Sequence, residues 1–328
     1  MLSLPFLSRR AVLGTGLAAA GTLAGHAALA QGRRTTDTVR LGWGFGGLPL
    51  LAKERGEFAR LLARDGIKVE WIGPFPAHAP SIQAVVGGSA DFSFGGSTTP
   101  ALASIIAGSP LVFTQFAVVE PRTTAIIARR DSGITGIPGL KGRSVAVNRS
   151  GLGEFLLIAA LEKHGLSRND VRVVYLNPPE AAPAFAAGKV DAWSMWSPGV
   201  DIARSEYGAH DIFVEGRDLG FQIDFSSYLV TRRFAEQNTE IVRAVNAAYA
   251  AEAAWASENP REAETLAQRQ GAYSDAIRDA FIERRRRYVI RRIDDTDFQA
   301  ELQRAADWLS QRRVLPEPVR VRDHLARL

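Results

Sequence analysis

Cysteine is absent from all 328 residues. Its absence excludes disulfides, thiolate nucleophiles, cysteine-ligated zinc, iron–sulfur clusters and a lipid-modified N-terminal cysteine. A strong excess of one charge is also missing. The chain has 40 Lys+Arg against 35 Asp+Glu, a formal net charge of +5, which does not by itself argue for nucleic acid. Metal-ligand spacing is lacking: His78, His164, His210 and His324 are scattered. Asp294, Asp295 and Asp297 lack the spacing and glycine of a calcium loop and read as helix capping. Ser150 has no nucleophile-elbow context, and no Ser–His–Asp set can be assembled. What is present is 46% hydrophobic residues with 23% charged, the balance of a folded chain with a sizeable core.

Residues 1–30 contain no acidic residue. Ser8-Arg9-Arg10-Ala11-Val12-Leu13 resembles a twin-arginine export motif. A glycine-diluted apolar stretch follows, and Ala28-Leu29-Ala30 fits an A-x-A cleavage site. The alternative, a membrane anchor, needs a longer and less glycine-rich run. Cleavage after Ala30 removes 30 of the 328 residues and two arginines, leaving 298 residues and a charge of +3. The expectation is a freely diffusing monomer in the periplasm.

Along the mature chain, strands are expected at Thr38–Trp43, Lys68–Ile72, Ala90–Phe94 and Leu111–Val118. A second set is expected at Ala125–Ala128, Ser144–Val147, Val171–Leu176 and Val190–Trp196. Helices are expected from Pro49 to Arg64, Pro80 to Val86, Ser97 to Ala107, Leu152 to His164 and Glu180 to Ala187, with another opening at Ser197-Pro198. From Phe234 onward the pattern is mainly helical. Two strand–helix series and a helical tail give an α/β class with largely parallel sheets. Ligands of such sheets bind off the carboxyl ends of the strands. Loops 44–48, 95–99 and 148–153 open helices with glycine and serine, which supplies free N–H donors and a positive helix end for an anion. The basic run Glu283-Arg284-Arg285-Arg286-Arg287 with Arg291-Arg292 reads as a solvated helix face.

A dinucleotide site competes for the first loop. Gly42, Gly44 and Gly47 match G-x-G-x-x-G, and Glu70 falls near the end of the next strand, where a ribose-binding acid is expected. Against it, Trp43 and Phe45 are bulky in a turn that must hug a pyrophosphate, and Gly95-Gly96 makes a second such loop that one fingerprint does not explain.

Several spaced segments carry a resemblance. They are Ile82-Gln83-Ala84 through Gly87-Gly88-Ser89-Ala90-Asp91-Phe92 to Gly95-Gly96; Leu140-Lys141-Gly142-Arg143-Ser144-Val145-Ala146-Val147; Leu161-Glu162-Lys163-His164-Gly165-Leu166-Ser167; and Gly188-Lys189-Val190-Asp191-Ala192-Trp193-Ser194-Met195-Trp196-Ser197-Pro198. Together, from about Val39 to Pro260, the chain resembles the aliphatic sulfonate, taurine and nitrate group of periplasmic substrate-binding proteins of ABC transporters. The resemblance implies a two-lobed periplasmic-binding-protein fold of type II with a hinge and C-terminal helices. Lobe one would be 33–121 plus 224–328 and lobe two 122–223, with crossings near Glu120-Pro121-Arg122 and Ile223-Asp224. It also implies binding without catalysis, no cofactor, no metal, no nucleic acid, and a membrane permease as partner.

Carried over residue by residue, the ligand-binding candidates are Gly46, Gly47 and Leu48 (against a plain tight turn), Gly96, Ser97 and Thr98 (against an N-cap), Ser150, Gly151 and Leu152, and Trp196 and Ser197. Arg122 is a candidate counter-charge beside the hinge, and Trp193 belongs to the core. Ser97 and Ser197 stand where many relatives have Asp, and Gly151-Leu152 where they have two serines. Fewer carboxylates and an added apolar wall favour an anionic ligand without an amine, most simply an aliphatic sulfonate. Nitrate, a pyrimidine precursor and an aromatic acid stay open as alternatives. Enzymes that resemble these receptors, a thiamine-pyrimidine synthase and an aromatic desulfinase, rely on cysteine, which this chain lacks.

Overall fold

The structure is a computed structural model in which residues 34–328 are described. The twin-arginine motif and the Ala30 cleavage site lie outside them. Among the described residues no helix is long and apolar enough to cross a membrane.

Strand β1 (Thr38–Gly44) pairs in parallel with β2 (Lys68–Phe75). The helix expected from Pro49 to Arg64 is two helices, Gly47–Arg55 and Glu57–Arg64. Gly56 separates them at φ 75°, a left-handed turn that glycine adopts without penalty. Residues 90–94 do not form the expected strand; Phe92 makes a single parallel bridge to Leu41. The polar residues there turn inward and replace ladder bonds. Asp91 accepts the Arg40 backbone N–H at 2.7 Å and pairs with its guanidinium at 2.6 Å, and the Ser93 hydroxyl accepts from Leu229 N–H at 3.1 Å. The segment thereby stitches the β1–β2 pair to a second sheet of order β11-β4-β10-β3. Its strands are β3 (Gly96–Ser97), β4 (Leu111–Glu120), and two that return late in the chain, β10 (Ser226–Thr231) and β11 (Arg287–Arg291).

Between the visits to that sheet lies a five-stranded sheet built only from residues 125–214. Its strands are β5 (Ala125–Arg129), β6 (Ser144–Val147), β7 (Arg172–Tyr175), β8 (Ala192–Met195) and β9 (Ala209–Val214), in the order β7-β6-β8-β5-β9. β6 runs parallel to both neighbours, so Val147, Tyr175 and Met195 end at one edge. The helix Leu152–Lys163 packs on this sheet and is buried without interruption from Gly153 to Leu161. A helix apolar all round is one covered on both sides. Trp193 is 2% exposed, in the core as expected.

The basic run is not a solvated helix face. The helix Asp275–Glu283 ends before it, and Arg287–Arg291 is β11, antiparallel to β4. Arg284 pairs with Asp201, Arg286 with Glu264, Arg287 with Glu120 and Arg291 with Glu301. Asp295 does cap the last helix, Thr296–Gln311, accepting from the N–H groups of Asp297 and Phe298.

Candidate functional site

Two chain crossings join the two sheets, and the candidate loops are tied to them. At the first crossing Arg122 lies 3.6 Å from Glu215 and donates to the Phe221 carbonyl at 3.1 Å. Glu215 in turn donates its backbone N–H to Thr124 O at 2.8 Å. The two crossings therefore run side by side, with Arg122 bonded between them. Both contacts hold Arg122 at the crossing, outside the candidate loops. Burial pushes the Glu215 carboxyl up to about 7, against the pull of Arg122. At the second crossing Asp224 is buried and pushed up to about 6 by that burial.

Loop 95–98 hangs on the second crossing. Thr98 N–H donates to Asp224 Oδ1 at 2.8 Å, and its hydroxyl donates to Phe225 O at 2.7 Å. Thr98 is 2% exposed, so it anchors the loop instead of reaching a ligand. Ser97 holds the N-cap position without a capping bond from its side chain; its hydroxyl sits by Asp224 but without hydrogen-bonding geometry, leaving it unpartnered. His78 supports this loop from beneath. Burial lowers its pKa to about 4, so the ring is neutral. Nδ1–H donates to Ser97 O at 2.7 Å, and Nε2 accepts from the Ser93 hydroxyl at 3.0 Å. A Cβ on Gly96 would lie 2.5 Å from the His78 Cβ, which is why glycine stands there.

Loop 44–48 projects Phe45, 55% exposed, between glycines. Gly46 is extended and offers no capping side chain, and Gly47 has φ 79°, so the first N–H groups of helix Gly47–Arg55 face outward unsatisfied by side chains. Leu48 is 1% exposed, its side chain in the core. The dinucleotide alternative loses its acid here: Glu70 pairs opposite Arg40 near the start of β2, at the end of the sheet away from this loop. Gly42 serves packing, since a Cβ there would meet Phe92 O and Ser81 Oγ at 2.9 Å.

On the other sheet, Ser150 sits at φ 54° and its N–H donates to Glu154 at 2.6 Å. Gly153 N–H donates to Asn148 Oδ1 at 3.2 Å. That leaves Gly151 and half-buried Leu152 with the open donors of this helix start. Trp196 is half-buried against the core of this sheet. Ser197 is hung on the first crossing: Thr123 hydroxyl lies 2.8 Å from its Oγ, which donates to Asp201 at 2.6 Å. Asp201 also receives Arg204 and, from the other half of the molecule, Arg284, each at 2.9 Å.

A sequence match to the family described as "NMT1/THI5 like" spans residues 49–263. The chain belongs to that family. It is 27% identical over 310 residues to a putative aliphatic sulfonates-binding protein of Escherichia coli, covering 94% of this chain and 95% of that one. The alkanesulfonate-binding protein of Xanthomonas axonopodis pv. citri bound to MOPS superposes with TM-score 0.79 at 25% identity, covering 88% of this chain and 98% of that one. A desulfurization enzyme superposes with TM-score 0.66 at 20% identity, over 89% and 96% of the two chains, a likeness of fold alone. The two-lobed periplasmic-binding-protein fold expected from the motifs is thus the fold of this NMT1/THI5-like chain.

Sequence reasoning gave no supporting role to His78, Arg149, Glu154, Tyr175 and Glu215, whose partners are distant or on the far side of a turn. The helix start at Gly153 carries a close approach that pattern reading does not register: a Cβ there would lie 2.4 Å from Ser194 O, a backbone atom. Gly153→Val is expected to lift the helix start off β8, cost about 1–3 kcal/mol and weaken ligand binding. Chemical denaturation together with calorimetric titration checks this; unchanged stability and affinity would show that the contact is slack.

Proposed function

We propose that this chain is the periplasmic receptor of an ABC importer, taking up a small organic anion, best an aliphatic sulfonate, and handing it to a membrane permease. The observation that carries the reading is the likeness to aliphatic sulfonate-binding relatives over nearly the whole chain, joined to helix-start loops that carry no carboxylate. Residues 33–121 plus 224–328 form one lobe and 122–223 the other, turning about the crossings at 120–122 and 223–224. Loops 44–48 and 95–98 supply one wall of the cleft, loops 148–152 and 196–197 the other. Gly46, Gly47, Gly96, Gly151 and Leu152 offer backbone donors. Ser97 offers an unpartnered hydroxyl, and Leu152, Trp196 and Phe45 offer apolar surface to the ligand's tail. Ligand bridging both walls draws the lobes closed, by its differential affinity for the closed form. The receptor is a monomer exported by the twin-arginine route and cleaved after Ala30. It catalyses no reaction: the fold's cysteine-dependent chemistry has no cysteine to run on.

The test is a thermal-shift and calorimetric panel on residues 31–328 with MOPS, hexane-1-sulfonate, taurine, nitrate, benzoate and an aminopyrimidine. Hexane-1-sulfonate and MOPS are expected to bind one per chain. At 100 times the dissociation constant a ligand adds about 2.7 kcal/mol of stability. Taurine is expected to bind more weakly, its ammonium finding no carboxylate in these loops. Stabilisation by nitrate, benzoate or the pyrimidine alone would overturn the sulfonate reading.

A further inference from the structure

The loops 44–48, 95–98, 148–151 and 196–198, with Leu176-Asn177 after β7, contain a single ionisable side chain, Arg149. We infer that Arg149 is the cation that recognises the ligand's charged head, and so the residue that makes this cleft select anions over neutral molecules of the same shape. The inference rests on the receptor reading above and adds to it the group that sets the sign of the ligand.

Arg149 follows β6 in the loop that opens helix Leu152–Lys163, and its side chain is exposed. Its guanidinium lies 3.7 Å above the ring of Tyr175, the last residue of neighbouring β7. A guanidinium over an aromatic face makes that contact through its π face and keeps its N–H donors for two oxygens of one anion. The platform is rigid: the Tyr175 hydroxyl donates to Glu154 at 2.8 Å and Arg168 bonds both. None of the ion pairs of the described residues includes Arg149, whereas Glu154 is paired with Arg168 at 2.6 Å. The cluster of Arg149, Glu154 and Arg168 therefore keeps one uncompensated positive charge, and it sits on the loop.

Other sources of charge are closed off. Arg122 is bonded within the hinge, and His78 is neutral by burial. Lys53 lies over the Trp43 ring and pairs with Glu54. The helix start itself is a weakened anion site. Glu154 occupies the Ser150 N–H and brings a carboxylate to the first turn, so the remaining Gly151 and Leu152 donors orient an anion whose charge must be met by a side chain.

The experiment compares hexane-1-sulfonate with its neutral isostere hexane-1-sulfonamide by calorimetry at several salt concentrations. The wild-type protein is expected to prefer the sulfonate, with affinity falling as salt rises. Arg149→Gln is expected to lower sulfonate affinity about 10- to 100-fold, leave the sulfonamide nearly unchanged and flatten the salt dependence. Arg149→Lys keeps charge without the planar fork and is expected to recover part of the preference. Arg143→Gln, an exposed arginine at the opposite end of β6, is expected to change nothing. If wild type prefers the sulfonate and Arg149→Gln, or Arg149→Ala should the glutamine variant fold poorly, keeps full affinity and full preference, the assignment to Arg149 is wrong while the receptor reading stands. If wild type binds no sulfonate at all, the receptor reading fails and the assignment with it.

Discussion

Arg286→Met is expected to destabilise the protein by about 3–5 kcal/mol, while Arg285→Met, one residue away, changes stability by less than about 0.5 kcal/mol. Arg286 donates through Nε to Glu264 Oε1 at 2.7 Å and through a terminal nitrogen to Oε2 at 2.5 Å. The two side chains are 12% and 5% exposed, and the guanidinium lies 4.0 Å over the Phe281 ring. The Tyr273 hydroxyl also reaches Glu264, at 3.3 Å. Removing the arginine leaves a buried carboxylate on helix Pro260–Gly271 with the Tyr273 hydroxyl but no cation, and an unpaired buried charge is costly. Arg285 is exposed and takes part in no ion pair among the described residues. The double variant Arg286→Met with Glu264→Leu is expected to regain much of the loss, since an apolar pair of similar volume avoids desolvating two ions. Urea unfolding of the four proteins decides it. Equal midpoints for wild type and Arg286→Met would mean that the pair is solvated, as the run of arginines in the sequence suggests.

That arginine run shows where local pattern stops carrying information. Strand β6 and helix Leu152–Lys163 were legible to within a residue, because an apolar run bounded by turn residues fixes its own period. The two-lobed fold was legible from spaced motifs. The fate of Arg284, Arg286 and Arg287 was not, since their carboxylates lie at 201, 264 and 120 and nothing within a window of ten residues announces them. Residues 90–94 failed for a related reason. Alternation of Asp91 and Ser93 with Phe92 and Phe94 has the period of a strand, yet the polar set is buried and bonded to Arg40, His78 and Leu229 instead of solvated. The glycine loops marked the starts of helices Gly47–Arg55, Thr98–Ile106 and Leu152–Lys163. Which donors remain open was decided by Glu154, the third residue of the helix, and by the two crossings that bind Thr98 and Ser197. Arg122 looked free because its neighbour Glu215 is 93 residues on.

Glu215→Gln is expected to change the pH dependence of stability between pH 5 and 8 by about 3 kcal/mol. In the folded protein Glu215 holds its proton up to about 7, whereas its ordinary value is 4.5. The native state therefore carries a proton that the unfolded chain has released. That contribution is present in full at low pH and is lost as pH rises toward 7. Asp224, held up to about 6, acts in the same direction over a lower range. His78 acts in the opposite direction. Its folded value of about 4 lies below the ordinary 6.5, so the unfolded chain binds more protons and stability rises with pH from about 4 to 6.5. Wild type is therefore expected to lose stability from pH 5 to 7, because two raised carboxyls, Glu215 and Asp224, outweigh the single lowered imidazole of His78. With glutamine at 215 the decline largely disappears, because Asp224 and His78 then nearly offset one another, so the variant gains on wild type steadily as pH increases. Carboxylates held low, such as Asp191 and Asp218, stay ionised throughout this window and do not confuse the comparison. Urea midpoints of the two proteins at pH 5, 6, 7 and 8 give the difference directly. Parallel curves would place Glu215 in contact with water and remove its proton.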